Sequence, residues 1–353
     1  MAMLDTTPPA PAAGKLERAS FTGSASEYFG IWIVNVLLTI VTLGIYSAWA
    51  KVRRNRYFYG NTVILDRSFE YHAKGMQIFL GRLIVIGVLI AINILSLIHP
   101  LFSILTTVAI FAGLPFLLKR GLRFSARVTS YRNVRFDFVG SAWGAFVAVM
   151  LGSFVAFVSL GILAPLASRW LWRYIFNNMR YGDREFVTEV RLKSLYGVWW
   201  LPALMVVLGA ALMGIVAAGA AAAMNEEGSA MAFSPIHFLF ILVFVVYGAA
   251  ALIYRIGVRN VVWSAAKLDG RHQLFSDVPP WTYVWIAVTN VIVTIFTLSL
   301  MRPWAAVRMA RFITEHTGIT VVGDLGEVLS SIEASGAAIS AEYMDMEGFD
   351  FGF

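Results

Sequence analysis

The chain has no cysteine in 353 residues, which excludes disulfides, thiolate zinc sites and thiol nucleophiles. Charge is scarce: charged residues make up 14%, against roughly 25% in soluble domains. The five histidines, His72, His99, His237, His272 and His316, show no ligand spacing, so no metal is expected. GxSxG, Walker A and strand-linked GxGxxG patterns are missing, and no apolar run holds paired carboxylates. No catalytic residue and no cofactor are therefore expected, and the chain reads as non-enzymatic. Lys, Arg and His are missing from residues 324–353, which hold seven of the 21 acids. The first 25 residues lack a continuous apolar stretch and are Pro- and Ala-rich, so a cleaved signal peptide is not expected and 1–15 reads as disordered.

Apolar residues are abundant, at 59% with a mean hydropathy of +0.72. Gly75–Ile98 and Leu101–Leu118 are separated only by His99-Pro100, and a second pair covers Tyr196–Met224 and Phe233–Tyr254. Each is near the roughly 20 residues that cross a bilayer. The loop NEEGSAMAFSPIH inside the second pair has two acids and no Lys or Arg, which puts it outside. Basic residues instead border the apolar runs, the pattern of cytoplasmic segments against anionic headgroups. They form no separate basic module, so nucleic acid is not an expected partner.

The stretch EYFGIWIVNVLLTIVTLGIYSAWAKVRRNRYFYGN, Glu27–Asn61, returns twice without gaps. Shifted by 117, Leu43, Gly44, Arg56, Tyr57 and Asn61 become Leu160, Gly161, Arg173, Tyr174 and Asn178; shifted by 255, Asn35, Thr39, Leu43, Trp49, Arg53 and Arg56 become Asn290, Thr294, Leu298, Trp304, Arg308 and Arg311. The expected fold is a mainly α polytopic membrane protein of three degenerate repeats, with short cytoplasmic β-hairpins. The segments are a disordered 1–15, repeat 1 at 16–133, repeat 2 at 134–259, partial repeat 3 at 260–323 and an acidic tail at 324–353. Strands are expected at Leu16–Gly23, around the Asp66-Arg67, Asp183-Arg184 and Asp269-Gly270 turns, and through RFSARVTSYRNVRFDF, which alternates.

Basic segments flank the second and third copies on both sides, so each copy is expected to enter and leave the membrane on the cytoplasmic face. It would break at Gly44, Gly161 and Ser299, giving four true spans and both termini inside. The rival arrangement has each copy spanning once, with seven spans and inverted repeats.

Arg53 and Arg56, like Arg308 and Arg311, are three residues apart and share a helix face. With Arg173 they are candidates for anion or lipid-headgroup contact, because arginine forks match phosphate. Asn35, Thr39, Asn290 and Thr294 are polar residues in apolar runs that suit a cavity lining or interhelical hydrogen bonds.

The first block, with the following FEYHA and Gly81-Arg82, resembles the YjgN-like family of bacterial inner-membrane proteins, as does the ending EGFDFGF. The resemblance covers essentially the whole chain. It implies an inner-membrane location and no established activity, with a metallopeptidase of the membrane as a partner hint. The second copy departs from the pattern at Leu166 and Trp170, where the others have Trp and Arg. The resulting expectation is a channel, transporter or lipid-interacting protein with membrane lipids as partners. The alternative is a non-catalytic scaffold that binds a protein through the acidic tail.

Overall fold

A computed structural model describes residues 14–224, 235–323 and Ser330 of the chain. The acidic tail, the loop after Met224 and the first 13 residues lie outside the described residues, and with them the readings made of those segments.

Strands β1 (Lys15–Arg18) and β2 (Ser20–Phe21) come first. Helices α1 (Ala25–Val41) and α2 (Ser47–Gly60) follow, then β3 (Thr62–Ile64) and β4 (Arg67–Tyr71). Next are α3 (Gly75–Ile98), α4 (Pro100–Arg127), β5 (Thr129–Tyr131) and β6 (Val134–Phe138). The middle of the chain holds α5 (Ala142–Ala145), a π-helical stretch (Phe146–Leu151), α6 (Gly152–Val158), α7 (Ala164–Phe176), β7 (Met179–Tyr181) and β8 (Arg184–Thr188). The last third holds α8 (Leu192–Met224), α9 (Pro235–Ala265), β9 (Ala266–Leu268), β10 (His272–Ser276), α10 (Pro280–Phe296), α11 (Arg302–Glu315) and β11 (Thr317–Val321).

The strands form one antiparallel sheet in the order β1-β11-β10-β9-β8-β7-β6-β5-β4-β3-β2. Its two ends, β1 and β2, are separated only by Ala19, whose N–H donates to Thr317 O at 2.8 Å. One kinked strand thus closes the sheet on itself and leaves no free edge. The short hairpins expected to form a small sheet are thus part of something larger: among the described residues eleven strands make one near-barrel. The turns supply the reason. Leu65-Asp66, Arg132-Asn133 and Asp269-Gly270 all have positive φ at both residues, the geometry that matches strand twist in two-residue hairpins. The rings of Phe69 and Phe136, and of Phe136 and Phe186, lie 6.4 Å apart although their strands are two apart. Flat strands at that remove are about 9.5 Å apart, so these rings converge on the concave face.

Every pair of helices leaves the sheet from one strand and returns to its neighbour. His72 N donates to Val128 O at 2.7 Å across the mouth of α3/α4, and Thr188 pairs with Ala266 across α8/α9. The three shorter pairs are closed in the same way. Thr22 N meets Asn61 O at 3.0 Å, Val139 N meets Asn178 O at 2.9 Å and Asp277 N meets His316 O at 3.2 Å. Around the ring, α2 packs on α3, α4 on α5, α7 on α8, α9 on α10 and α11 on α1. The helices form one closed circle above the sheet.

Four helical segments, Gly75–Leu97, Leu101–Arg127, Leu192–Ala218 and Leu242–Ala265, are long and apolar enough to cross a membrane. Arg123–Arg127, expected to open a strand pair, instead continues α4, and the strands begin at Thr129. Nothing there breaks a helix, and Arg127 is tied to Asp137 at 3.0 Å. The expected boundary between 259 and 260 falls inside α9, because Arg259 and Asn260 both reach into the β10 connection.

Candidate membrane-facing site

The three short helical pairs are built alike. α1 starts with a capping box, in which Ser24 accepts from Glu27 N and Glu27 accepts from Ser24 N. Ser141 caps α5 by accepting from Gly144 N at 3.0 Å. Each pair reverses over two residues of positive φ: Leu43 and Gly44 (50° and 91°), Leu160 and Gly161 (51° and 85°), Leu298 and Ser299 (49° and 72°). The second residue's N–H reaches back five positions at 2.7 Å in all three: Gly44 to Thr39 O, Gly161 to Ala156 O and Ser299 to Thr294 O. This is the left-handed end that satisfies orphan carbonyls.

A hydroxyl just before each turn completes the satisfaction. Thr42 Oγ1 donates to Leu38 O at 2.7 Å and accepts from Tyr46 N at 2.9 Å. Ser159 does the same with Ala156 O and Leu163 N, and Thr297 with Val293 O and Met301 N. α8 adds two more donors at the middle turn, Trp199 Nε1 to Gly161 O at 2.9 Å and Tyr196 Oη to Ile162 O at 3.1 Å. Turns with their backbone groups satisfied in this way can be surrounded by hydrocarbon. Their side chains match: Leu43, Leu160 and Leu298 are 93%, 92% and 89% exposed, and no charged residue lies between Leu38 and Ser47 or between Phe154 and Pro165.

The candidate arginines sit on the returning arms. Arg53 Nη1 donates to Asn35 Oδ1 at 3.4 Å and to Tyr46 Oη at 3.3 Å. Arg308 Nη1 donates to Asn290 Oδ1 at 3.2 Å and Thr289 Oγ1 at 2.8 Å, with its guanidinium 5.1 Å from the Trp304 ring centroid. The Asn–Arg pair joins the two arms of a hairpin. In the middle hairpin both members are missing together, with Gly152 and Trp170 in their places. Thr39 and Thr294 bond their own helix, to Asn35 O and Asn290 O, each at 2.6 Å. The asparagines therefore hold arginines, and the threonine hydroxyls turn back onto the helix.

Arg56 and Arg311 reach forward to the next helical pair. Arg56 donates to Tyr71 O at 3.3 Å and Ala73 O at 3.4 Å, and Arg311 donates to Gly23 O at 2.9 Å. Arg173 stands exposed. Arg82, in the first long helix, donates to Ser47 Oγ beside the first turn.

Two clusters escaped sequence reasoning. Arg259 donates to Ser276 Oγ and Thr317 Oγ1, lies 4.7 Å from the Trp263 ring centroid, and neighbours Asn260, which accepts from Val278 N at 3.1 Å. Together they lock α9 to the β10–α10 connection; two adjacent polar residues closing an apolar run were the available signal. The second cluster is His72, Ser130 and Glu70. His72 Nε2 lies 2.7 Å from Ser130 Oγ and 3.3 Å from Glu70. The carboxylate contacts the same ring nitrogen as the serine, so it cannot orient the base as a catalytic triad requires. Among the described residues no group of three or more His, Cys, Asp or Glu could hold a metal.

A helical chain with four bilayer-length helices set on a closed sheet is of the membrane-protein class. It belongs to the family described as "Bacterial protein of unknown function (DUF898)", whose model matches residues 17–346. It is 27% identical to the inner membrane protein YjgN of Salmonella typhimurium over 86% of this chain and 88% of that protein. The YjgN proteins of Escherichia coli O157:H7 and strain K12 are 30% and 29% identical over 50% of this chain and 52% of theirs. No solved structure matches.

Proposed function

We propose that this chain is a non-enzymatic, lipid-interacting protein of the bacterial inner membrane, with four true spans and three short hairpins that dip from the cytoplasmic side and return. We read the three hairpins as copies of one unit in one orientation. The observation that carries this reading is the exposure of Leu43, Leu160 and Leu298 at the three turns, the first two of which have no charged residue nearby. Withdrawing such a side chain from water is worth about 1.5–3 kcal/mol, and lipid is the surrounding that supplies it.

The returning arms limit the depth. Lys51 follows Gly44 by seven residues and Arg169 follows Gly161 by eight, about 10–12 Å of helix. Half the hydrocarbon core is about 15 Å, so the first two turns reach into one leaflet while their basic residues stay at its headgroups, and Arg302, three residues after Ser299, sets the third turn shallower. Closure of each hairpin mouth by one hydrogen bond supports same-side entry and exit over a single crossing. The convergence of Phe69, Phe136 and Phe186 on the concave face of the sheet favours lipid contact over a channel through the sheet. A scaffold role beside a membrane metallopeptidase would draw on the acidic tail, which lies outside the described residues.

Because the chain has no cysteine, single-cysteine variants report cleanly. Spin labels on Leu43→Cys, Leu160→Cys and Leu298→Cys should be relaxed by oxygen in the bilayer and shielded from water-soluble nickel chelates. Val139→Cys and Val187→Cys, both 44% exposed, should react with an impermeant thiol reagent only from the cytoplasmic side. Turns open to the chelate, or labelling of the two valine positions from opposite faces, would overturn the proposal.

A further inference from the structure

The circle of helices has one irregular seam. The first and third hairpins meet directly, α11 against α1, whereas the first and second, and the second and third, are each separated by a long helical pair. The flank that α3 meets in the first hairpin is met by α1 in the third. Trp49 is covered by α3: its ring lies so close to Gly75 that a Cβ there would come within 2.4 Å, and its centroid is 5.7 Å from that of Phe79. Trp304, at the same place in the third hairpin, is 37% exposed. Beside it opens a cavity of about 330 Å³, lined by Ile286, Trp304, Arg308, Arg311 and Glu315 with Ala25 of α1.

The order of these groups along α11 is informative. Residues 304, 308, 311 and 315 are spaced four, three and four apart, so they share one helix face. α11 runs from the turn at Ser299 to β11, and in the one-leaflet reading the turn is the lipid end and β11 the cytoplasmic end. From lipid outward the face therefore presents an aromatic ring, two guanidinium groups and a carboxylate. A phospholipid of the inner leaflet with a free ammonium presents acyl chain, phosphate and ammonium in that order. Arg308 is fixed by Asn290 and stacked on Trp304, and Arg311 is fixed by Gly23 O, so both forks are held in place before a ligand arrives. Arginine forks match phosphate. Glu315, exposed at the far end, has no side-chain partner among the described residues, and its charge suits an ammonium and repels a headgroup that is only anionic.

We infer that the seam between α1 and α11 holds one phospholipid with a phosphoethanolamine headgroup, the phosphate on Arg308 and Arg311 and the ammonium on Glu315. This rests on the one-leaflet reading of the hairpins and names the lipid that they would engage.

Native mass spectrometry of the full chain, released from nanodiscs of equal phosphatidylethanolamine and phosphatidylglycerol, tests it. One phosphatidylethanolamine should be retained in preference to phosphatidylglycerol. Arg308→Gln with Arg311→Gln should weaken retention by about tenfold or more, a 1.4 kcal/mol change. Arg53→Gln with Arg56→Gln, the equivalent pair on the hairpin whose tryptophan is packed against α3, should leave retention unchanged. Glu315→Gln should remove the preference between the two lipids while keeping binding. Ala25→Phe fills the seam without removing a hydrogen bond and should also expel the lipid, which covers the case in which the double arginine variant does not fold. Equal retention of both lipids by the unaltered chain, or equal loss in both arginine pairs, would overturn the inference. Spin-label depth at Leu298 on the same samples separates the two failures. Turns in lipid without lipid retention defeat the seam alone, and turns in water defeat the reading beneath it.

Discussion

Arg308 and Asn290 meet across the two arms of the third hairpin, Nη1 lying 3.2 Å from Oδ1, while the Asn290 amide donates to Ala305 O at 3.0 Å. Asn290 is 8% exposed, so this one side chain satisfies a cation and a backbone carbonyl where little water reaches. Removing it leaves both without that partner. Asn290→Ala should therefore destabilise the protein by about 1–3 kcal/mol, read as a lower unfolding temperature in detergent. Arg308→Ala with Asn290→Ala should cost less than the sum of the two single variants, because the pair is one interaction.

The turns differ in one residue that the backbone notices. Ser299 holds a φ of 72° where Gly44 and Gly161 hold 91° and 85°. A side chain in that region costs about 1 kcal/mol or more relative to glycine. Ser299→Gly should raise the unfolding temperature, and Gly44→Ala and Gly161→Ala should lower it. Thermal scans of the three variants, run side by side, would check the opposite signs.

The hydroxyls before the turns bond to the backbone in both directions. Thr42→Val keeps the shape and leaves Tyr46 N without its 2.9 Å acceptor. In hydrocarbon an orphan N–H is expensive, and a loss of about 1–3 kcal/mol is expected. Thr297→Val and Ser159→Ala should behave alike. Amide hydrogen exchange at the first turn of α2, α7 and α11 should quicken in each variant.

His272 makes the sheet sensitive to mild acid. It is 1% exposed, its Nδ1 accepts from Val322 N at 3.3 Å, and its Nε2 is buried without a partner. Burial, and then Arg271 and Arg184, lower its pKa, with Asp269 opposing. The unfolded chain, with an ordinary histidine pKa of about 6.5, takes up this proton at a higher pH than the folded one. Stability is thus full above about pH 6.5 and falls as the pH drops below it. His272→Gln should flatten that part of the profile, measured by denaturant unfolding between neutral and mildly acidic pH.

Gly23 and Gly140 test the hairpin mouths. Tyr57 Oη donates to Ser24 O at 2.7 Å and Tyr174 Oη to Ser141 O at 2.8 Å. A Cβ on Gly23 would come within 2.7 Å of the first hydroxyl, and one on Gly140 within 2.8 Å of the second. Gly23→Ala should therefore displace the tyrosine and destabilise, and Tyr57→Phe in the same chain should recover part of the loss.

Much of this was legible in the chain itself. Low charge and long apolar runs fixed the membrane class, because a helix must be long and apolar to cross lipid. The Leu-Gly and Leu-Ser steps marked the reversals, since few residues accept positive φ. Asp66 and Asp269-Gly270 marked hairpin turns for the same local reason. Closure of the strands into one ring was not legible. It depends on β1 pairing with β11, which lies some 300 residues away, and no local preference encodes such a partner. Nor was the role of the arginines visible. Spacing put Arg308 and Arg311 on one face, but only packing assigned one to Asn290 and the other to Gly23 O, and left open beside them the seam that α3 covers in the first hairpin. Local chemistry determined each element and each turn; which element stands beside which, and so which side chains are satisfied and which face a cavity, was decided by the closed ring.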